Sequence, residues 1–361
     1  MKIKDFRTTL ISLPWVEIPA MAPGYDRPRE LLILELETQS GIVGMGFLQP
    51  LTPGIRTIDS CLHEMVKPML MGRDATHIEA IWRDLYHAHH TVGRMGVLLF
   101  AMSAVDVALW DILGKKAGLP LFRLWGAVRE EMPVYGSGCW RGLGGDGMIE
   151  KAKRYVAEGF SSIKMQVAWM HTPAQDVTNV RRMREALGPD TEIMIDVNRG
   201  WTADLAIATA KQFEDCNIYW LEEPVPVDDF EGYRRVANAL TMRVAGGENH
   251  YTRWDLRPFF ADPVVPILQP DFMRGGLTEM RKIAAVADTY GIRLAPHLFP
   301  ELMVHMLCSI PNGEILEYMG WLDDLLVDAP LPENGVIRPR ETPGHGLVFK
   351  PEVLSEHRMK V

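Results

Sequence analysis

The chain has 361 residues, 47% of them hydrophobic and 24% charged, with a formal net charge of −9. That length exceeds what one small core serves, so more than one structural unit is expected. The acidic balance argues against nucleic acid as a partner, because phosphate-binding surfaces are basic, but leaves an anionic small substrate open, since a metal ion and a few local cations set the field inside a pocket.

From the N-terminus, MKIKDFRTTLISLP lacks a signal-peptide pattern. No apolar run is read as a membrane span, LLILEL at 31–36 being far too short. The four cysteines (Cys61, Cys139, Cys216, Cys308) form no CxxC pair and read as reduced thiols. A cytoplasmic enzyme without membrane or nucleic-acid partners is the expectation. KIKDFRTTLISL and RELLILELET alternate apolar and polar residues as strands do, and GIVGMGFL completes a sheet after a glycine turn. Between the first two strands, WVEIPAMAPGYDRPRE is a Pro/Gly-rich loop carrying Trp15, Tyr25, Arg27 and Arg29. Loops of that length in compact domains are commonly functional lids. From 56 to 116 the pattern is helical. The stretch 97–118 places Leu98, Met102, Val105, Leu109 and Ile112 on one face.

From about residue 132 a unit repeats. Apolar runs at MPVYGSGCW, SSIKMQV, EIMIDVN, IYWLEEP, RVAGGEN, VPILQPDF, IRLAPHLF and GEILEYM alternate with helical segments. Strands that are apolar almost to their last residue are buried on both faces. The pattern predicts an α/β fold: a (β/α)8-type barrel with an N-terminal α+β capping domain completed by the C-terminal tail. The expected boundaries are 1–125 for the cap with its lid loop, 126–325 for the barrel, and 326–361 for a segment returning to the cap.

Three acids close three successive runs at equal spacing: Asp196, Glu222 and Glu248 lie 26 residues apart. One strand, one loop and one helix fill such an interval, so the three converge at one end of the barrel. Converging carboxylates repel one another unless a cation sits among them, and all-oxygen ligation suits Mg²⁺. Reading all the strand ends in order gives Lys164 and Gln166, Asp196 and Asn198, Glu222, Glu248, Asp271, His297 and Glu317. In a parallel barrel that end carries the active site.

The motifs IDVN, LEEP, GGEN, QPD, PHLF and LEYM, with SAVDVALWDILGKKAGLPLFRLWGA upstream, resemble the enolase superfamily and, within it, the mandelate racemase subgroup. The likeness covers cap and barrel. It implies Asp196, Glu222 and Glu248 as Mg²⁺ ligands, and Asp271 and His297 as a dyad in which the carboxylate orients the imidazole. It also implies Glu317 as a hydrogen-bonding partner of the substrate carboxylate and Lys164 as a cation beside that group. A symmetric homo-oligomer is the assembly the resemblance suggests.

One position departs from the pattern. Racemases of this subgroup carry Lys-x-Lys on the second barrel strand, whereas here the triplet is Lys164-Met165-Gln166. Alternation puts residues 164 and 166 on the same side, so an amide stands where a second base belongs. Losing one general base costs roughly 10²–10⁴-fold in rate. Single-face chemistry through His297 remains. The expected reaction is Mg²⁺-dependent dehydration of a sugar acid, an aldonate in preference to an aldarate. His297 removes the C2 proton, and the stabilised enediolate collapses to a 2-keto-3-deoxy acid. Gln166, Asn198, Trp15, Tyr25, Arg27, Arg29 and Trp140, with Arg141 beside it, are candidate substrate contacts. Two readings compete: a racemase or epimerase using a second base such as His250 or Tyr251, and a non-catalytic protein that retains the metal site. Cycloisomerases and dipeptide epimerases of the superfamily use lysines on the second and sixth strands, and Gln166 and Asp271 argue against both.

Overall fold

The computed structural model describes residues 1–15 and 28–360. Strands β1 (Ile3–Leu13), β2 (Arg29–Thr38) and β3 (Val43–Leu48) form an antiparallel sheet in that order. The β2–β3 register puts Leu32, Leu34 and Leu36 on the same face as Gly44, Gly46 and Leu48. Helix Val97–Ala117 crosses that face at backbone distance. A Cβ on Gly46 would lie 2.0 Å from the Ala104 carbonyl oxygen, and one on Gly44 would lie 2.2 Å from that of Ala108. Glycine on the strand and alanine on the helix are the residues that permit this approach.

This helix differs from its expected form. The spacing predicts one apolar face, yet the helix is buried around its circumference, Ser103, Asp106 and Asp111 included. It is a middle layer, with the three-stranded sheet on one side and the barrel on the other. At 21 residues it is also apolar and long enough to cross a membrane, contrary to the expectation that no run qualifies, but it is spent inside the fold. Its Asp111 joins three parts of the chain, accepting from Met45 N at 2.9 Å, His345 N at 3.2 Å and Lys115 Nζ at 2.6 Å.

The barrel has parallel strands β4 (Met132–Cys139), β5 (Ser162–Gln166), β6 (Glu192–Asp196), β7 (Ile218–Glu222), β8 (Arg243–Gly246), β9 (Ile267–Leu268), β10 (Arg293–Leu294) and β11 (Leu316–Tyr318). They coincide with the eight apolar runs read from the sequence. β11 pairs with β4, and a parallel bridge from Leu294 to Gly313 ties β10 to the segment leading into β11, which closes the circle. Tyr135, Met194, Trp220, Ala245, Ile267, Ala295 and Ile315 fill the interior as one apolar layer, large residues opposite small ones. Side-chain caps start the outer helices: Thr172 with Gln175 in a capping box, Thr202 on Leu205 N, and Asp229 on Gly232 N.

Near the C-terminus, β12 (Val336–Ile337) pairs with β4, and the last residues run along β1, Met359 N donating to Leu10 O at 2.8 Å. All four cysteines are buried and free of disulfides.

Asp106 fixes the cap to the barrel. Its carboxylate accepts from Thr278 N at 2.8 Å and Thr278 Oγ1 at 2.6 Å, capping helix Gly276–Thr289 across the layer boundary. Burial raises its pKa to about 7 despite those two bonds.

These contacts make two predictions. Gly46→Ala should destabilise the chain by about 1–3 kcal/mol through overpacking, read from the denaturant midpoint; an unchanged midpoint would contradict the close approach. Between pH 4 and 7 the folded chain keeps the Asp106 proton that the unfolded chain has released. The stability of the parent chain minus that of Asp106→Asn should therefore fall as pH rises through that window. Thermal unfolding at a series of pH values measures the difference, and a constant difference would refute it.

Candidate active site

The strand ends carry the predicted polar residues to one mouth, and local structure explains each placement. Parallel register pairs Asp196 on β6 with Glu222 on β7. Glu248 follows β8 after Gly246 and Gly247. The φ of +124° at Gly247 is one that side-chain-bearing residues rarely adopt, so glycine is what turns Glu248 inward. Non-glycine residues with positive φ also gather here: Ala168 and Trp169 after β5, Asn198 and Arg199 after β6, Glu223 after β7, and Leu298 and Phe299 after β10. Such backbone is stored strain that the surrounding packing must hold.

Lys164 sits at the centre of the charge. Its ammonium is 4% exposed, 2.7 Å from Glu222 Oε1 and 2.9 Å from Glu317 Oε1. Burial lowers its pKa, but Glu222 and Glu317 hold it well above the ordinary value. Glu317 Oε1 also accepts from Ser137 Oγ at 2.7 Å, and its Oε2 accepts from Leu298 N at 3.0 Å. Burial works to raise the Glu317 pKa, yet Lys164 and His297 bring it below its usual range. Trp220 Nε1 donates to Glu222 Oε2 at 3.0 Å. Burial, with Asp196, Glu317 and Glu248 adding to it and Lys164 opposing, pushes Glu222 up to about 8. Asp196 is likewise raised, by burial and by Glu248.

His297 Nδ1 lies 3.1 Å from Asp271 Oδ2, and Asp271 Oδ1 accepts from Met273 N at 2.8 Å. The other imidazole nitrogen faces Glu248 Oε2 at 3.6 Å. Burial pulls the imidazole pKa down, while Glu248, Asp271 and Glu317 outweigh it and carry it to about 10. A cation drawing on the charge of Glu248 would reverse part of that rise.

A narrow cavity opens onto these groups. Its lining includes Trp140, Lys164, Gln166, Asp196, Asn198, Glu248, His297 and Glu317 from the sequence expectation. Glu222 and Asp271 stand behind it, the first under Lys164 and the second behind His297. Gln166 Oε1 is buried and has no hydrogen-bond partner among the described residues. Asn198 is already engaged at both ends of its amide: Nδ2 donates to Asp196 Oδ2 at 2.6 Å, and Oδ1 accepts from the buried Arg141. Arg29 does not line the cavity; its guanidinium bonds the carbonyl of Trp321. Trp15 packs edge-on against the Trp321 ring at 5.1 Å. Tyr25 and Arg27 lie outside the described residues. His250 and Tyr251 do not line the cavity either: His250 packs against Phe230 and Phe259, and Tyr251 meets Arg274.

Sequence reasoning missed Ser137, Leu51, Met319 and Trp321, which line the cavity, and Trp220 beneath it. Alternation could have found Trp220, two residues before Glu222 and so on the same side of β7. Trp321 lies on a loop, where no periodicity reports direction.

Among the described residues no three His, Cys, Asp or Glu side chains form a ready coordination group. Glu222 is drawn to Lys164, Asp196 to Asn198, and Glu248 toward Asn249 and His297. The donor chemistry nonetheless fits a hard divalent ion: three buried carboxylates on adjacent strands, two of them with pKa values raised by burial and by one another's charge.

Residues 147–353 match the model of the enolase C-terminal domain-like family, and residues 9–126 match that of the mandelate racemase / muconate lactonizing enzyme N-terminal domain. A 3,6-anhydro-alpha-L-galactonate cycloisomerase of Streptomyces coelicolor is 33% identical over 98% of both chains. An arabinonate dehydratase of Saccharolobus solfataricus is 30% identical over 99% of this chain and 100% of that one. The crystal structure of a racemase from Streptomyces coelicolor A3(2) with bound magnesium superposes with a TM-score of 0.94 at 31% identity, covering 99% of this chain and 100% of that one. The chain belongs to the enolase superfamily, in its mandelate racemase subgroup.

Proposed function

We propose that the protein is a Mg²⁺-dependent lyase that eliminates across C2 and C3 of a sugar acid, an aldonate dehydrated to its 2-keto-3-deoxy acid. The observation that carries this reading is the one-sided arrangement of bases. The His297–Asp271 dyad stands on one side of the cavity, and on β5, where a second base would face it, stands the amide of Gln166. An amide has no useful basicity, and neither His250 nor Tyr251 reaches the cavity. Two-base racemisation therefore lacks its second group among the described residues.

In this reading Asp196, Glu222 and Glu248 would hold the ion, which would supply positive charge to stabilise the anion formed on proton removal. Asp271 keeps the His297 Nδ1 proton in place, leaving Nε2 to take the C2 proton. The resulting imidazolium returns that proton to the departing C3 oxygen on the same face. Lys164 adds an ammonium where negative charge develops on the carboxylate. Both Glu317 oxygens already accept hydrogen bonds, so it acts on substrate through Lys164 more than by direct contact. Gln166 Oε1 is free to accept from a substrate hydroxyl. Lys164 is the only lysine or arginine among the described residues that line the cavity, which favours a substrate with one carboxylate.

A second reading has its own support. The relative named a 3,6-anhydro-alpha-L-galactonate cycloisomerase withdraws the exclusion of cycloisomerases: Gln166 and Asp271 argue only against members that work through lysines at those two positions. If the C3 oxygen is one end of an anhydro bridge, the same elimination opens a ring and loses no water. The catalytic groups are identical; only the tether on the leaving oxygen differs.

A stereochemically complete set of sugar mono- and diacids, plus anhydro sugar acids, should be incubated with the protein and Mg²⁺, and the 2-keto product trapped with semicarbazide. Product is expected from at least one monoacid. His297→Asn should lower its rate by roughly 10²–10⁴-fold or more, and chelation should abolish it. Product mass separates the readings: lighter than substrate by one water for dehydration, equal for ring opening. Turnover that survives His297→Asn, or a silent set, would remove the elimination reading.

A further inference from the structure

The turn after Asp271 is held by the N-terminal unit. Ser103 Oγ donates to the Phe272 carbonyl at 2.7 Å, and Trp82 Nε1 to the Gly275 carbonyl at 2.7 Å. Asp106 takes both the amide and the hydroxyl of Thr278, and that hydroxyl accepts from Trp110 Nε1 at 2.8 Å. All of these bonds are buried. Gly276, with φ +83°, lets the backbone press against the Asp106 carboxylate, where a Cβ would lie 2.5 Å from Oδ2. Segment 272–278 is thus fastened at several points to the helices Ile78–Ala88 and Val97–Ala117.

Asp271 opens the short 3₁₀ turn Phe272–Arg274 as its N-cap. One carboxylate oxygen is fixed by Met273 N within that turn, and the other holds His297 Nδ1. The direction of the carboxylate therefore follows the backbone of the turn, and the turn follows the two helices. None of these bonds reaches Asp196 or Glu222 on β6 and β7, while Arg274 of the same turn donates from Nε to the Glu248 carbonyl at 2.9 Å, so the turn also touches the third acid.

We infer that Ser103 and Trp82, with Asp106, are positioning residues for His297: the N-terminal unit aligns the imidazole by fixing the turn that carries Asp271. The catalytic consequence rests on the elimination reading above; the mechanical link does not. A side chain displaced by about an ångström from its reacting geometry loses on the order of 10²-fold in rate, so small releases of the turn are enough to matter.

Ser103→Ala and Trp82→Phe each remove one donor and keep the packing apolar, so a folding failure in one leaves the other to decide. In protein labelled with ¹⁵N-histidine, the His297 Nδ1–H resonance is assigned by its absence in His297→Asn. It should broaden or exchange faster with water in both variants. With the sugar acid found by the screen, kcat should fall by roughly ten- to a hundredfold with KM unchanged. An undisturbed resonance in both variants would overturn the inference. So would a rise in KM with kcat at the parent value, since that marks a disturbed binding wall with the base still in place. If the parent protein turns over no sugar acid, the elimination reading fails alone, and the resonance still decides whether the clamp exists.

Discussion

Confinement of negative charge at the barrel mouth is the constraint on which the rest of the structure depends. Asp196, Glu222, Glu223, Glu248 and Glu317 are all buried. Removing each from water costs several kcal/mol unless charge and hydrogen bonds return it. One buried ammonium, Lys164, serves Glu222 and Glu317 together, Arg199 serves Glu223, and His297 leans on Glu248. That provision falls short, as the raised pKa values of Asp196, Glu222 and Glu223 record. A site built with surplus buried negative charge binds cations strongly for the same reason that it is costly to fold. The low dielectric that penalises the acids strengthens every favourable contact made there.

The fold is a means of keeping that cluster rigid. Parallel register delivers Asp196 and Glu222 side by side, and the glycine pair before Glu248 turns the third acid inward. Trp220 rises from the apolar layer of the barrel to bond Glu222, so the floor of the barrel and the acid site form one packed unit. The cap is fastened by equally close contacts: glycine against alanine between β3 and the long helix, and Asp106 against the start of helix Gly276–Thr289. A helix buried on every side cannot shift without disturbing both of its neighbours. Asp196 and Glu222 are held by their own strands, whereas Asp271, the partner of His297, sits on the turn fastened to the cap, and Arg274 of that turn also bonds the Glu248 carbonyl.

Much of this was legible in the sequence. The equal spacing of Asp196, Glu222 and Glu248 is enough to announce a repeating strand–helix unit, because period and chain length fix where strand ends fall. Strand alternation puts Gln166 on the same side as Lys164, and the resemblance to the Lys-x-Lys racemases places it opposite the dyad. What escaped is of another physical kind. Asp106 and Thr278, or Ser103 and Phe272, are far apart in the chain and meet only when the two units pack. Arg29, read as a substrate contact from its place on a loop, proves to hold the carbonyl of Trp321, a residue almost three hundred positions away. The helix Val97–Ala117 looked one-faced because periodicity counts its apolar positions but cannot count its neighbours. Local pattern reports which way a side chain points; it does not report what has been brought there.

This division also bears on what separates dehydration from ring opening. In the proposed elimination, proton removal at C2 and departure of the C3 oxygen would use the same dyad, the same ammonium and the same cation whichever way the oxygen is tethered. No difference in the acid cluster can therefore select between the two reactions. Selection must come from the wall of the cavity that faces the rest of the substrate, where Leu51, Trp140, Met319 and Trp321 present carbon and aromatic surface with no charge. Such a wall favours the apolar face of a sugar chain or ring and, among the described residues, offers a second carboxylate no cation, a penalty larger than any that a misplaced methylene brings. Trp321 is held there from outside the barrel, by Arg29 at its carbonyl and Trp15 at its ring, both on strands of the cap or the loop between them. In that proposal the cap bears on both ends of the reaction, aligning the base at one and shaping the substrate-facing wall at the other.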